Sequence, residues 1–419
     1  MRIRSHRRNG GVLIGLVAAL CTFGALAPAA RADVGDITEF TTPTLNSSPY
    51  GIAPAPGGMA WFTELDGNAI GVISATGAIT ELPLPLPNSR PKSIVAGPDK
   101  NLWFTEGSNR IGRITPTGDE VEFQIPTATS VPKDIAVGPD GNLWFTEFNG
   151  NQIGRITPDG VIDEFPVTTA SGGPNGITAG PDGNLWFTEV NGNNIGIITP
   201  AGAVTELPIP EPDSQPVDIA TGPDGNLWFT EFGTNKIGRV TPAGVFNAFD
   251  IPTTQSGPNG ITAGPDGNLW FTEFRGNKIG VITVDGAITD YPIPTPTAQA
   301  LSIAAGPDGN LWFTEQAASN VARVLDAPVP AIKLKPASGP PLTVVKLTGS
   351  GFGSFEKVKL TFVDSVNGKI VLRKALADAE GRLRTKVTIP ANASLGAQEI
   401  QAKGVISGLQ ASATFTVTG

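Results

Sequence analysis

Histidine and cysteine are almost missing from this chain of 419 residues, which holds one of each, His6 and Cys21. Both fall in an N-terminal stretch that reads as a leader. Once that stretch is removed, no disulfide, no thiol nucleophile and no imidazole base is left for catalysis. Long apolar runs are also lacking. Outside residues 12–26 no segment is long enough to span a membrane as a helix. Positive charge is scarce in the body of the chain: residues 33–327 carry 12 Lys and Arg against 33 Asp and Glu. A field of that sign excludes general nucleic-acid binding and suits cations or a cationic ligand. Residues 328–419 reverse the balance, with 12 Lys and Arg against 5 acids.

The leader spans residues 1–32. Arg2, Arg4, Arg7 and Arg8 form a basic head, Val12 to Leu26 is mostly apolar, and Ala30-Arg31-Ala32 offers a small-residue cleavage site. The expectation is a bacterial protein that is secreted or associated with the cell envelope.

What the chain has in abundance is a repeat. Gly-Pro-Asp-Gly-Asn-Leu-Trp-Phe-Thr-Glu runs from Gly138 to Glu147 and returns at Gly180–Glu189, Gly222–Glu231, Gly264–Glu273 and Gly306–Glu315. Worn copies stand at Ala55–Glu64 and Gly97–Glu106. All seven tryptophans (Trp61, Trp103, Trp144, Trp186, Trp228, Trp270, Trp312) mark its beat, in steps of 41 or 42 residues. In the third copy, short runs at Asp134–Val137, Asn142–Glu147, Ile153–Thr157 and Val161–Val167 are separated by Asp-Gly and Asn-Gly turns, without helical periodicity. Four short strands per repeat of about 40–45 residues predict a propeller blade. The segment Asp36 to Phe40 matches a fourth strand, and the seventh copy, Leu301 to Asp326, has only three. The N-terminal strand is therefore expected to complete the seventh blade. The fold class is all-β: a seven-bladed β-propeller over residues 33–327, closed by an N-terminal outer strand.

After the linker Asp326 to Pro330 the repeat stops. Residues 328–419 read as short strands with turns at Ser338 to Pro340, Gly349 to Gly353, Asn367-Gly368 and Ala379 to Gly381, which predicts a small immunoglobulin-like β-sandwich. The runs Leu334 to Pro340 and Val345 to Phe352 resemble the IPT/TIG family of immunoglobulin-like modules. That resemblance implies a spacer or adhesion unit, whose basic charge suits an anionic cell wall or the acidic propeller.

Function is expected where the copies differ. The residue just before each expected first strand, read round the ring, is Tyr50, Lys92, Lys133, Asn175, Val217, Asn259 and Leu301. Seven different neighbours can build an asymmetric pocket. The glutamates closing Trp-Phe-Thr-Glu recur in every copy, which favours a structural role, bonded to the adjacent Asn-Gly turn or to an arginine such as Arg113, Arg155, Arg239 or Arg323. One or two of them can hold a hard cation. The Asp of each Asp-Gly turn reads as a turn former.

The repeat Pro-x-x-Ile-Thr-Ala-Gly-Pro-Asp-Gly-Asn-Leu-Trp-Phe-Thr-Glu, followed by Asn-x-Ile-Gly-Arg-Ile-Thr-Pro and carried best by Pro174–Thr199 and Pro258–Thr283, resembles the virginiamycin B lyase (streptogramin lyase) family. The resemblance covers about residues 35–326. It implies a seven-bladed propeller, and an activity that opens a cyclic depsipeptide by elimination with magnesium. It also implies histidines just before Ile-Thr in late blades and acids that hold the metal. Here those positions are Asn259 and Leu301, and the flanking acid is Gln299. Only Glu273 and Glu315 match a metal position, for magnesium or calcium. Elimination needs a base, and the remaining candidates are Tyr50, Lys92 and Lys133, in early blades far round the ring. Three functions stay open: a secreted monomer that binds a small molecule, cyclic peptide or cell-wall ligand without turnover; an active lyase with a relocated base; and an envelope spacer.

Overall fold

The computed structural model describes residues 34–55, 58–326, 331–350, 357–378, 382–405 and 410–419. The leader with His6 and Cys21, residues 327–330 of the linker, and the turns expected at 351–353 and 379–381 lie outside the described residues. Every regular element described is a strand. Among the described residues no helix is long and apolar enough to cross a membrane.

Seven four-stranded antiparallel sheets follow one another. In the third, Pro132–Val137, Leu143–Glu147, Gln152–Ile156 and Ile162–Pro166 pair in chain order. Asn142, expected inside the second strand, instead belongs to the preceding turn. Asp140 accepts its backbone N–H at 3.2 Å and its Nδ2 at 2.8 Å. One sheet takes its strands from both ends of the repeat region: Ile37–Thr41 pairs antiparallel with Asn320–Val324, with Ile37 opposite Val324 and Thr41 opposite Asn320. Each first strand lies against the first strand of the next sheet, and Ala300–Ala305 lies against Pro49–Ala55.

Tryptophan joins the sheets. Trp103 packs with Ile135, Leu143 and Phe145 of the following sheet. Trp312 packs with Ile52 and Phe62 of the first. Six of the seven indoles, all but Trp61, also donate to the turn aspartate four residues back, as Trp144 Nε1 does to Asp140 Oδ1 at 3.1 Å. Arg113, Arg155, Arg239 and Arg323 lie over Trp103, Trp144, Trp228 and Trp312 at 5.1–5.6 Å from the ring centroids. Three of them face the turn acids Asp99, Asp224 and Asp308 at 3.6–4.0 Å. The arginines thus serve the indole end of the repeat rather than the glutamates. Magnitudes rank these contacts: burying an indole contributes up to about 4 kcal/mol, a half-exposed ion pair about 1 kcal/mol or less. Behind six of the seven buried motif Phe stands a third-strand glycine with no room for a side chain, while Ala322 stands opposite Phe313. A Cβ on Gly154 would lie 2.1 Å from Phe145 Cζ.

The second, smaller set of strands builds a three-stranded sheet (Ala331–Lys335, Val344–Ser350, Leu383–Thr388) and a five-stranded sheet (Ser338–Gly339, Gln410–Val417, Gly396–Gly404, Lys357–Asp364, Gly368–Leu376). Val345, Leu347 and Leu383 of one and Leu360, Phe362, Ile400 and Phe415 of the other share a single buried cluster. Gly349 and Ser350, expected in a turn, continue a strand because they pair with Ile332 and Ala331.

The sheets are also laced by hydrogen bonds near their common axis. Every first strand bulges after its opening residue: Pro132 stands opposite Glu147, and Ile135 opposite Phe145. Two residues, Lys133 and Asp134, therefore face one, Thr146, which is the geometry of a β-bulge. The Thr146 hydroxyl accepts the Asp134 N–H at 3.1 Å and donates to the Asn175 carbonyl of the next sheet at 2.6 Å. The same relay runs through Thr63, Thr105, Thr188, Thr230 and Thr272. Thr314 closes it by donating to the Tyr50 carbonyl at 2.8 Å. All seven threonines are fully buried.

Replacing Thr188 by valine keeps the shape and removes the hydroxyl, which leaves the Gly176 N–H unpaired and the Val217 carbonyl with the Asn175 Nδ2 donor at 2.8 Å alone. Urea unfolding of Thr188→Val should report a loss of about 1–3 kcal/mol, and Thr188→Ser should recover most of it. A Thr188→Val protein as stable as the parent would remove the relay as a source of stability.

Candidate functional site

The two residues of each first-strand bulge, all but Lys92, enclose a cavity of about 460 Å³ including its open mouth. Six of the seven residues read round the ring from sequence line it: Tyr50, Lys133, Asn175, Val217, Asn259 and Leu301. Tyr50 is not far round the ring from Leu301. The Thr272 hydroxyl donates to the Leu301 carbonyl, and the next threonine, Thr314, donates to that of Tyr50, so the two residues sit on adjacent strands. The correction follows from circular order, in which the first and last copies are neighbours.

The second residue of each bulge lines the same cavity. Four of these positions hold Ser93, Asp134, Asp218 and Ser302, and the other three hold Gly51, Gly176 and Gly260. Glycine stands where the neighbouring strand comes closest: a Cβ on Gly51 would meet the Lys92 carbonyl at 2.4 Å. The two acids bridge strands. Asp134 Oδ2 accepts the Ile177 N–H at 2.8 Å, and its Oδ1 accepts from the Ser93 hydroxyl and from its neighbour's Ile135 N–H. Asp218 Oδ2 accepts the Ile261 N–H at 2.8 Å.

Burial and mutual repulsion set the protonation of this cavity. Burial, with the nearby Asp134 adding to it, pushes Asp218 up to about 7. Burial raises Asp134 as well. Burial, then the charges of Asp134 and Asp218, pushes the Tyr50 phenol up to about 12, which makes it a poor base at neutral pH. Lys133 is lowered by burial, and its Nζ stands 5.0 Å from the centre of the half-buried Phe148 ring. Lys92 lies beside the cavity, its Nζ 3.4 Å from the Pro132 carbonyl. Burial first, then Lys133 and Arg90, bring it down to about 8. A carboxyl group near 7 and an amine near 8 can both exchange protons at neutral pH. Asp134 and Asp218 escaped attention in the sequence because the position read round the ring was one residue earlier. Reading Gly51, Ser93, Asp134, Gly176, Asp218, Gly260, Ser302 in the same way exposes two acids among small residues.

The mouth of the cavity is strained. The residue two before each lining residue has positive φ, and in five of seven sheets it is not glycine: Ser48, Arg90, Val131, Gln215 and Gln299, at 48–56°. Val131 is β-branched, which makes its +54° costly. Each carbonyl of this kind is held by an N–H beyond Trp-Phe-Thr-Glu, as Phe148 N–H donates to Val131 at 3.2 Å and Gln316 N–H to Gln299 at 3.2 Å.

Glu273 and Glu315 do not line the cavity. They are fully buried, like the other five glutamates of the motif. Asn320 Nδ2 donates to Glu315 Oε2 at 2.9 Å, and Asn194 Nδ2 to Glu189 Oε2 at 3.1 Å. Burial pushes Glu273 and Glu315 up to about 7, and each faces a second acid on an outer strand, Asp290 and Glu39. Full burial away from the cavity places these glutamates in the packed scaffold.

The virginiamycin B lyase family profile matches residues 30–172 and 166–345. The solved virginiamycin B lyase of Staphylococcus aureus is 41% identical, with 69% of this chain and 99% of that chain covered and a TM-score of 0.67. A streptogramin B lyase structure is 38% identical, with 69% and 96% covered and a TM-score of 0.66. A catalytically inactive histidine-to-alanine variant of the S. aureus enzyme, solved with quinupristin, matches with 41% identity, 69% and 99% covered and a TM-score of 0.67. The WD40 β-propeller domain of Doa1, 10% identical with a TM-score of 0.57 over 70% of this chain and 95% of that one, shares the fold alone. No curated protein matches the chain.

The buried glutamates carry a pH dependence. Unfolded, each titrates near 4.5. Folded, Glu64, Glu189, Glu273 and Glu315 are pushed up to about 7, and Glu106 and Glu147 to about 8, all chiefly by burial. A raised carboxyl pKa stabilises the fold fully below 4.5, and that contribution is lost as pH rises through 7 to 8. Melting curves should therefore show Tm falling from pH 5 to pH 8.5, with a shallower fall in Glu147→Gln. A Tm that stays flat or rises over this window contradicts the assignment.

Proposed function

The chain belongs to the virginiamycin B lyase family, and from that premise we propose a lyase-like propeller that binds a ligand at the mouth of its central cavity without the family's histidine-dependent elimination. The observation that carries this reading is the pair Asn259 and Leu301. They occupy the positions that the family resemblance assigns to histidines, and both line the cavity. His6 is the only histidine in the sequence. Neither an amide nor an isobutyl group abstracts a proton. The proposed architecture is a seven-bladed ring closed by Ile37–Thr41, supported by the pairing of that strand and by the threonine relay that returns to Tyr50.

The ligand class proposed is a cyclic peptide, another small molecule or a cell-wall component. The half-buried Phe148 and the cationic Lys133 beside it suit a ligand with both apolar and polar faces. We further propose that the protein is exported as a monomer, that residues 1–32 are its signal peptide, and that residues 328–419 form an IPT/TIG-like module. Two sheets around one apolar cluster support the last point. The module's excess of Lys and Arg suits an anionic wall. Magnesium, if it is used, would be held through Glu315, with Gln299 replacing a family acid.

A second reading has its own observation. Asp218 near 7 and Lys92 near 8 place two groups able to exchange protons at or beside the cavity. In that case the protein would open a cyclic ester with a base moved to a new position.

One experiment separates the two. The protein lacking residues 1–32 is incubated with a streptogramin B depsipeptide and magnesium, and the mixture is followed by mass spectrometry and calorimetry. Binding with no linear product is the expected result. Linear product that disappears with chelator, follows a bell-shaped pH profile and is lost in Asp218→Asn or Lys92→Ala would overturn the first reading in favour of the second. Neither binding nor turnover, with a melting shift on adding wall polysaccharide alone, would move the ligand to the envelope.

A further inference from the structure

The second sheet departs from the repeat at two positions that meet in space. Its outer strand, Glu120–Gln124, begins with an acid. The corresponding position is apolar in every other sheet: Ile37, Ile79, Ile162, Val204, Phe246 and Ile288. The acid two residues on, Glu122, has counterparts in Glu39, Glu81, Glu164, Glu206 and Asp290. Each of those accepts a threonine hydroxyl from the loop before its sheet: Thr295, Thr44, Thr127, Thr169 and Thr253. In the second sheet the repeat places Leu86 at that loop position, so Glu122 has lost its hydroxyl donor and gained a carboxylate neighbour.

Strand order explains why three carboxylates converge. Glu122 stands opposite Gly112, and Gly112 opposite Phe104. The Phe104 ring fills the space over Gly112, and Glu106, two residues after Phe104 on its strand, lies on the same face of the sheet as Glu122. Glu120 and Glu122 are two residues apart and share one face. Ligand atoms of Glu106, Glu120 and Glu122 all lie within 4.8 Å of one another. Glu106 is fully buried. Its Oε2 accepts from the Ser108 hydroxyl at 3.0 Å. Its Oε1 has no partner, and neither do both oxygens of Glu120 and Oε1 of Glu122, so four buried carboxylate oxygens are unpaired. The one cation nearby is shared thinly, with Arg110 Nε 3.4 Å from Glu122 Oε2. Unpaired buried acceptors at such density are costly unless something binds them.

We propose that Glu106, Glu120 and Glu122 form a site for a hard divalent cation. Calcium suits it better than magnesium. Calcium accepts irregular sets of carboxylate oxygens at about 2.3–2.6 Å, so opposed ligands can stand about 5 Å apart, whereas magnesium requires a tight octahedron at about 2.0–2.1 Å. Three carboxylates against one arginine leave a charge of the size that a divalent ion neutralises. The ion would take the place of the threonine donor that the other sheets use, and would fix the outer strand of the second sheet. The site lies apart from the cavity and from Glu315, and does not depend on the lyase-like reading.

The test uses the whole chain, stripped with chelator and titrated with calcium and, separately, with magnesium, read by calorimetry and by the melting temperature. The parent should bind calcium with a rise in Tm. Glu120→Ile restores the residue type of the other sheets and should weaken that binding by about tenfold or more, at least the loss that follows removal of an outer partner of a metal ligand. Glu120→Gln keeps the shape without the charge and gives the same readout if the isoleucine variant folds poorly. Binding that survives both substitutions, or a parent that binds neither ion at millimolar concentration, would overturn the proposal.

Discussion

Seven buried threonine hydroxyls set the geometry on which the rest of this protein depends. Each accepts the N–H that a bulge has freed in its own sheet, and donates to a carbonyl in the next sheet. A bulge breaks the ladder and leaves an N–H without a strand partner, which would be expensive in a buried place. The hydroxyl removes that cost and at the same time fixes the distance between neighbouring sheets. Because the relay ends by joining Thr314 to Tyr50, the last sheet is tied to the first by the same bond that joins every other pair.

Shared and unshared residues follow from that arrangement. Towards the Asp-Gly turns, the repeat uses Trp, Asp and Arg to pack and pin one sheet against the next. Towards the cavity mouth it uses Thr and Glu, fully buried. These layers are saturated by their own contacts and leave little freedom for chemistry. The two bulge residues per sheet are different. Their backbones are held by the threonines, so their side chains can vary without disturbing the ring. That is why Tyr50, Lys133, Asp134, Asn175, Asp218, Asn259 and Leu301 can face one cavity while the surrounding scaffold stays nearly constant.

Departures from the repeat therefore carry the functional information, and they do so in both directions. Asn259 and Leu301 remove the groups that the family resemblance leads one to expect. Asp134 and Asp218 add carboxyl groups, and burial in one cavity shifts both upward. Glu120 adds a charge where six other sheets keep an apolar side chain, and Leu86 removes the hydroxyl that would have answered it. A repeat protein thus supplies its own controls, since each position can be compared with its counterparts in the same molecule.

The sequence by itself determined the strand content of the repeat, its 41- or 42-residue period, its Asp-Gly turns and the pairing of the N-terminal strand with the last copy, because each rests on local chemistry or on counting. It also marked Tyr50, Lys133, Asn175, Asn259 and Leu301, because a scaffold position that varies among copies is visible in the text. Only the tertiary structure decided which residues share a cavity. The bulge turns a second residue inward, which no alternation pattern announces, and the contact of Ala300–Ala305 with Pro49–Ala55 brings the first copy beside the seventh. Protonation was likewise beyond the sequence: that Asp218 sits near 7, that Tyr50 is a poor base and that the motif glutamates are buried and raised all depend on how much water and which charges surround them. Distances along the chain do not carry that information, because burial and Coulomb repulsion act between groups that only folding brings together.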